Sequence, residues 1–224
     1  MNYEWKIVMP SNDQVEHFVE EISKPTFPKM FNPWSQNCET ETEPQAFIAR
    51  KERLKAHLLC SETKLLIIGE APGYQGCRYS GVAFTSERLL MEGQIPRLRY
   101  LKGNRLTDRR LPWSEPSATI VWKGLKEHEL ENETVLFNSV PWHPMGECAH
   151  SNRTPTSEEQ KVGNYYLKMF LSLYENVTIA ALGKVASNNL TTLGVAHTAL
   201  RHPANGGATK FRNDLAYLAK SSVK

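Results

Sequence analysis

Apolar positions along the chain follow two periodicities, and their order sets the expected fold. Val15, Phe18, Val19 and Ile22 recur at helical spacing after a capping Ser11, predicting a helix over about Asn12–Ile22. Phe47, Leu54 and Leu58 predict a second helix over Gln45–Leu59. The intervening residues are rich in Pro, Asn, Ser and Thr, yet Phe27, Phe31 and Trp34 predict a loop packed on the protein and not a free linker. Short apolar runs then alternate with helical patterns. Leu65–Gly69, Val135–Val140, Val177–Leu182 and Val195–Leu200 read as buried strands. Phe84–Glu92, Ser117–His128, Ser157–Tyr174, Lys184–Leu190 and Thr209–Ala219 read as helices, and Thr156-Ser157-Glu158-Glu159 offers the longest of them a capping box. The alternation predicts an α/β fold: a three-layer α/β/α sandwich with a central, mostly parallel four-stranded sheet. Residues 1–60 are expected to form an N-terminal helical extension packed on a core domain at 61–224.

The strand ends carry the chemistry. The first strand runs into Gly69-Glu70-Ala71-Pro72-Gly73, a turn with one acid whose glycines let a ligand approach bare backbone. The second ends at Asn138, followed by Ser139-Val140-Pro141-Trp142-His143-Pro144, and the fourth delivers Arg201-His202-Pro203-Ala204-Asn205-Gly206-Gly207. In a parallel sheet these turns share the C-terminal edge, where open α/β sheets bind ligands. A planar amide at Asn138 suits the edge of a heterocycle, Phe84 offers a stacking face, and His202 can donate to an oxygen gaining charge. Arg201 and the Gly206-Gly207 backbone can hold phosphates. Together these groups suit a flipped-out base. Taken singly, each has a structural use: Glu70 on turn amides, Asn138 on loop backbone, Phe84 in the core, His202 closing a strand.

Composition and charge narrow the partner. An apolar content of 40% with 23% charged residues is that of an ordinary globular protein. No apolar run approaches the roughly 18 residues that span a membrane. The first six residues lack a basic segment leading into an apolar one, so no secretory signal is expected and a cytoplasmic, bacterial-type protein is. Cys38, Cys60, Cys77 and Cys148 are scattered with no Cys-x-x-Cys pair, which predicts reduced thiols. Net charge is only +3, but Arg97, Arg99, Lys102, Arg105, Arg109 and Arg110 crowd one stretch with a single acid, Asp108, and with Tyr100 and Trp113 interleaved or adjacent. Such a run is either a solvated loop or a polyanion contact.

These residues resemble the uracil-DNA glycosylase superfamily over about Leu65 to Leu218. Gly69-Glu70-Ala71-Pro72-Gly73 is similar to the first motif of its iron–sulfur branch, called family four. Gly81-Val82-Ala83-Phe84 resembles that branch's Gly-x-Pro-Phe, and Phe137-Asn138-Ser139-Val140 its Asn motif. Asn152-Arg153-Thr154-Pro155-Thr156-Ser157-Glu158-Glu159 resembles its Asn-Arg-x-Pro-x-x-x-Glu segment. Ala181-Leu182-Gly183-Lys184 resembles its strand–helix turn, and Arg201-His202-Pro203-Ala204 its closing His-Pro motif. The resemblance implies a monofunctional DNA glycosylase that leaves an abasic site. Its catalytic residues would be Glu70, Asn138 and His202. Its base-binding residues would be Gly69, Ala71, Gly73, Tyr74, Gly76, Phe84 and Asn138. Arg78, Lys184, Arg201, Asn205, Gly206 and Gly207 would join the basic run as contacts to double- or single-stranded DNA. The chemistry would need no metal and no organic cofactor.

Departures from the branch shape the remaining expectations. Trp142 and Gly163 stand where two of its cluster cysteines would fall, so no iron–sulfur cluster is expected. Ala71 replaces an Asp or Asn that orients water in some branches; Glu70 is the nearest acid and Glu87 a weaker candidate. Gly73 takes the place of a tyrosine that blocks the C5 side of the pyrimidine in the best-known branch. Gly76 takes the place of a glutamate often found in the iron–sulfur branch. Both glycines predict an opened C5 side, with Gln75, Arg78 and Tyr79 near a substituent, unless Tyr74 or Tyr79 swings in. The interval before Asn138 is lengthened and contains the basic run, and no leucine wedge follows His202-Pro203. Three readings follow: excision of an enlarged, C5-modified cytosine of phage DNA in antiviral defence, repair of uracil, or a catalytically weak DNA-binding relative.

Overall fold

A computed structural model describes residues 9–221; the N-terminal hexapeptide, expected not to be a secretory signal, lies outside them. In chain order the elements are α1 (Asn12–Ser23), β1 (Met30–Phe31), α2 (Ala46–Leu58), β2 (Leu65–Gly69), α3 (Cys77–Ser80), α4 (Glu87–Met91), α5 (Pro116–Glu127), β3 (Thr134–Asn138), β4 (His143–Pro144), α6 (Ser157–Leu171), β5 (Thr178–Leu182), α7 (Lys184–Thr192), β6 (Thr198–Leu200) and α8 (Ala208–Ser221). A 3₁₀ turn, Pro96–Leu101, lies between α4 and α5.

The central sheet runs β3-β2-β5-β6, parallel throughout. Side chains alternate across its pleat, so β2 feeds both faces. Leu66 and Ile68 join Val135 and Phe137 against α1, α2, α6 and α7. Leu65 and Ile67 join Leu136 and Leu182 against α5 and α8. These are the three layers expected. Phe18 of α1 meets Phe137 of β3 edge-on at 5.6 Å, so the N-terminal helix packs directly on the sheet. Both capping boxes form: Ser11 with Gln14 at α1, and Thr156 with Glu159 at α6. Among the described residues, no helix is long and apolar enough to cross a membrane.

Some element boundaries move, for local reasons. The helix expected over Phe84–Glu92 begins only at Glu87. Thr85 Oγ1 turns back to the Ala83 carbonyl, and the Trp122 indole donates to the Phe84 carbonyl at 2.9 Å, so this backbone bonds outside a helix. Phe84 takes φ +49°, which costs roughly 1 kcal/mol or more and persists only because its surroundings impose it. The last strand starts at Thr198, because the Val195 amide closes α7 on the Leu190 carbonyl behind a left-handed Gly194.

The segment between α4 and α5 that carries the basic run is held by Glu87. This buried carboxylate accepts from the amides of Leu106 and Thr107, both at 3.1 Å, from Thr107 Oγ1 at 2.6 Å and from the Trp113 amide at 3.3 Å. Glu87 is therefore an anchor and not a group that orients water. Replacing it by alanine orphans several buried donors, so Glu87→Ala should lower unfolding free energy by roughly 2–4 kcal/mol. It should also speed tryptic cleavage at Arg109 or Arg110. Denaturant melts and a protease time course check both, and an unchanged cleavage rate would reject the anchoring role.

Candidate active site

The strand pairing carries the first two motif turns out of the sheet side by side. Gly69 is in register with Asn138, and pairing continues past the strand ends, with the Ser139 amide on the Gly69 carbonyl (2.8 Å) and the Val140 amide on the Glu70 carbonyl (3.0 Å). Ser139 Oγ also donates to the Glu70 carbonyl and accepts from Asn189 of α7. The buried His143 imidazole donates from Nδ1 to the Pro72 carbonyl (2.9 Å); burial pushes its pKa down to about 4, so it remains a neutral donor. The 152–159 segment braces the other side. Asn152 Oδ1 accepts the Tyr74 amide, and the Arg153 guanidinium forks onto both carboxylate oxygens of Glu159, at 2.7 and 2.6 Å. The same Glu159 caps α6, so one acid fixes the helix start and the arginine together.

These turns border a cavity of about 780 Å³. Glu70, Ala71, Gly73, Phe84, Lys184, Arg201, His202 and Asn205 all contribute to its wall. Gly69 and Asn138 do not line it: Asn138 borders a separate small void with Trp34, Cys77 and Pro141, and the Phe84 ring stands between. A Cβ on Gly69 would overlap the Phe84 ring and lie 2.7 Å from Asn138 Oδ1, so stacking ring and amide meet where Gly69 has no side chain. Asn138 is only 4% exposed. The His202 ring lies 6.3 Å from the Phe84 ring. The Ala204 amide donates to its Nδ1 (3.2 Å), which puts the neutral ring's proton on Nε2. Burial, helped by neighbouring Arg201, lowers the His202 pKa and keeps the ring neutral. Burial raises the Glu70 carboxyl, and a hydrogen bond with Thr154 partly offsets it.

The wall nearest Gly73 and Gly76 was not foreseen. Glu115, at the N-cap of α5, brings its carboxylate against Gly76: a Cβ there would overlap Oε2 and lie 2.8 Å from Cδ. Burial drives the Glu115 carboxyl up to about 7. Gln75, Ser117 and Ile120 continue this wall. Neither candidate tyrosine swings in. Tyr79 is buried in parallel stacking on Trp113 (4.7 Å, 9°), and Tyr74 meets Trp113 edge-on at 5.8 Å.

A family model described as the uracil DNA glycosylase superfamily matches residues 56–221. The chain belongs to the uracil-DNA glycosylase superfamily. It is accordingly a DNA glycosylase, and DNA is its substrate. The solved structure of wild-type Pedobacter heparinus SMUG2 is similar in fold, with a TM-score of 0.65 at 15% identity, over 96% of this chain and 97% of that one. Among curated protein sequences, none matches.

Several residues expected at the DNA or the base lie elsewhere in this glycosylase. Arg78 is buried, its guanidinium 4.1 Å above the Phe31 ring, so it is a packing group and not a DNA contact. Arg97 reaches the opposite end of the sheet, where it donates to the Thr134 carbonyl at 2.6 Å, while the Leu136 amide donates to His57. Together these groups cover the outer edge of β3, which would otherwise expose unpaired backbone. Gly207 is buried as well, because a Cβ there would overlap the His202 carbonyl; it shapes the turn and cannot face a phosphate. Gly76 offers no empty space, since Glu115 fills it. Arg99, Lys102, Arg109, Arg110, Lys184, Arg201, Asn205 and Gly206 do lie exposed, and Arg105, half-buried, donates to the Arg109 carbonyl. Trp142 and Gly163, at the cluster-cysteine positions, serve packing. The Trp142 indole donates to the Ile22 carbonyl, and a Cβ on Gly163 would come within 2.6 Å of the Ser139 carbonyl.

Glu115 gives the site a pH signature. Its folded pKa lies above the ordinary carboxylate value, so the folded state holds the proton more tightly than the unfolded chain. Stability conferred by that proton is present at low pH and is lost as pH rises through about 4.5 to about 7. Glu115→Gln should therefore gain stability relative to the parent at pH 8 and show little gain at pH 5. Urea midpoints at the two pH values measure this, and an equal difference at both would contradict it.

Proposed function

We propose that the protein extrudes a pyrimidine nucleotide from DNA and hydrolyses its N-glycosidic bond, and that the base carries a polar substituent at C5. Hydroxymethylated or glucosylated cytosine, as in some phage genomes, fits this description, and abasic sites in such DNA would serve antiviral defence. The observation that carries the reading is the wall beside Gly73. Both tyrosines turn away to Trp113, and polar Gln75, Glu115 and Ser117 line a cavity of about 780 Å³ in their place. That volume lies in the range that accepts ligands far larger than a bare pyrimidine. The Glu115 carboxyl, protonated or not, can hydrogen-bond hydroxyl groups.

Phe84 stacks on the base, and Asn138, beside it, pairs with the edge once the ring yields slightly. The C1′–N1 bond breaks with its electron pair passing to the base. His202 Nε2–H donates to the base oxygen that gains this charge. A water oxygen bonds to C1′, and Glu70, the acid in the wall nearest Ala71, accepts the water's proton. Lys184, Arg201 and the Asn205–Gly206 turn face the phosphates. Uracil is the second reading, favoured by one feature: Glu115 refills the space that Gly76 leaves.

Oligonucleotides carrying single uracil, hydroxymethylcytosine or glucosylated hydroxymethylcytosine test the choice. Release of the modified cytosines is expected, and Glu115→Ala should reduce it more than any release of uracil. Release of uracil alone would leave the repair reading. His202→Ala should slow release by roughly a hundredfold or more. Binding to every oligonucleotide with no release at all would leave a DNA-binding relative without chemistry.

A further inference from the structure

We propose that Leu111 is the wedge that enters the DNA base stack when the target nucleotide leaves it, with Arg109 and Arg110 seating its loop on the flanking phosphates. The inference rests on membership of the glycosylase superfamily and not on which base is taken.

Extruding a nucleotide opens a gap, and filling it with an apolar side chain offsets lost stacking. The turn after His202 offers nothing for this purpose: Pro203 is buried, and Ala204, Asn205 and Gly206 bear no large apolar group. Leu111 is 67% exposed, the most exposed aliphatic side chain among the large apolar residues described at the surface. A single exposed leucine is ordinary in itself. Three further observations set this one apart. Arg109 and Arg110, both exposed, precede it directly, so the apolar tip sits within positive charge. The loop is rigid: Glu87 binds it on both sides, through Thr107 and through Trp113. Trp113 is itself clamped, with the Arg109 guanidinium 3.9 Å above its ring and Tyr79 stacked parallel to it. The chain enters the cavity wall at Glu115, four residues after Leu111, and the Trp113 ring meets Tyr74, the residue after Gly73 of that wall, at 5.8 Å, so the loop is tied to the cavity's side of the protein. A wedge must be held stiffly to push, and this loop is. Tyr100, the other exposed apolar group of the basic stretch, borders a cleft with Glu52 of α2 and with Leu59 just beyond it, and shares no lining residue with that wall.

The test needs no knowledge of the base. The probe is a duplex with one tetrahydrofuran abasic analogue and 2-aminopurine beside it, compared with the same strand alone and with an intact duplex. The parent protein should prefer the abasic duplex and raise 2-aminopurine fluorescence as the wedge disturbs stacking. In Leu111→Ala the ratio of duplex to single-strand affinity should fall roughly tenfold, and the fluorescence rise should be lost. Leu111→Met should restore both. A preference in the parent that Leu111→Ala leaves intact would overturn the wedge alone. Equal loss on duplex and single strand would do the same, since it marks a general contact. A parent with no preference for the abasic duplex would overturn base extrusion at this site and the wedge with it.

Discussion

The site depends on one constraint: two parallel strands end in register. Gly69 pairs with Asn138, and backbone bonds from Ser139 and Val140 keep the two departing turns together beyond the sheet. Everything placed on those turns inherits the rigidity of the buried strands beneath. The absent side chain at Gly69 lets the Phe84 ring meet the Asn138 amide, and the Phe84 backbone is held strained by the Trp122 indole. His143, kept neutral by burial, closes the same turn from below through the Pro72 carbonyl. Register, close approach and a locked ring thus make one unit in which a small backbone shift would separate the Phe84 ring from the Asn138 amide.

What was legible in the sequence is what local physics decides. The run Leu65–Gly69 is a strand as read, because its leucines and isoleucines feed both faces of the sheet. The capping boxes at Ser11 and Thr156 form as their spacing implies. The strand ends fall at one edge because the connections are helical crossovers. What escaped the sequence depends on pairing between distant segments. Nothing near Glu115 announces that it will fill the space left by Gly76. Pro116 marks a helix start, but not what that start faces. The arginines fail in a related way. A charge run suggests a solvated face, yet Arg97 follows Pro96 beside buried Ile95 and Leu98 and points at an open strand edge. Arg78 lies in a short helix whose other side chains are also buried.

The basic stretch therefore divides into two parts with different work. Its first part, around Arg97, protects the edge strand. Its second, from Arg105 to Trp113, is a separate loop tied down by Glu87, with exposed arginines and a leucine at its tip. A buried carboxylate surrounded by amide and hydroxyl donors is a strong anchor, because leaving those donors unmet would cost more than each bond gains. The segment between β2 and β3 thus gives the protein both a wall for its cavity, through Glu115 and Ser117, and a basic loop anchored separately by Glu87.

The electrostatics of the cavity are graded from rim to wall. Cations lie at the rim, in exposed Lys184 and Arg201, where water screens them and phosphate contacts are available. The deeper wall holds groups that burial drives toward neutrality: His202 lowered, Glu115 raised to about 7, Glu70 raised. In the proposed reaction, a neutral imidazole with its proton on Nε2 would stabilise a base oxygen by a directed hydrogen bond. A cationic one would favour protonating the base outright. The Glu115 carboxyl, raised to about 7, keeps hydrogen-bonding capacity toward a polar group in either protonation state. Burial makes these groups less charged, and it also makes each hydrogen bond left unmade in the low-dielectric wall costly.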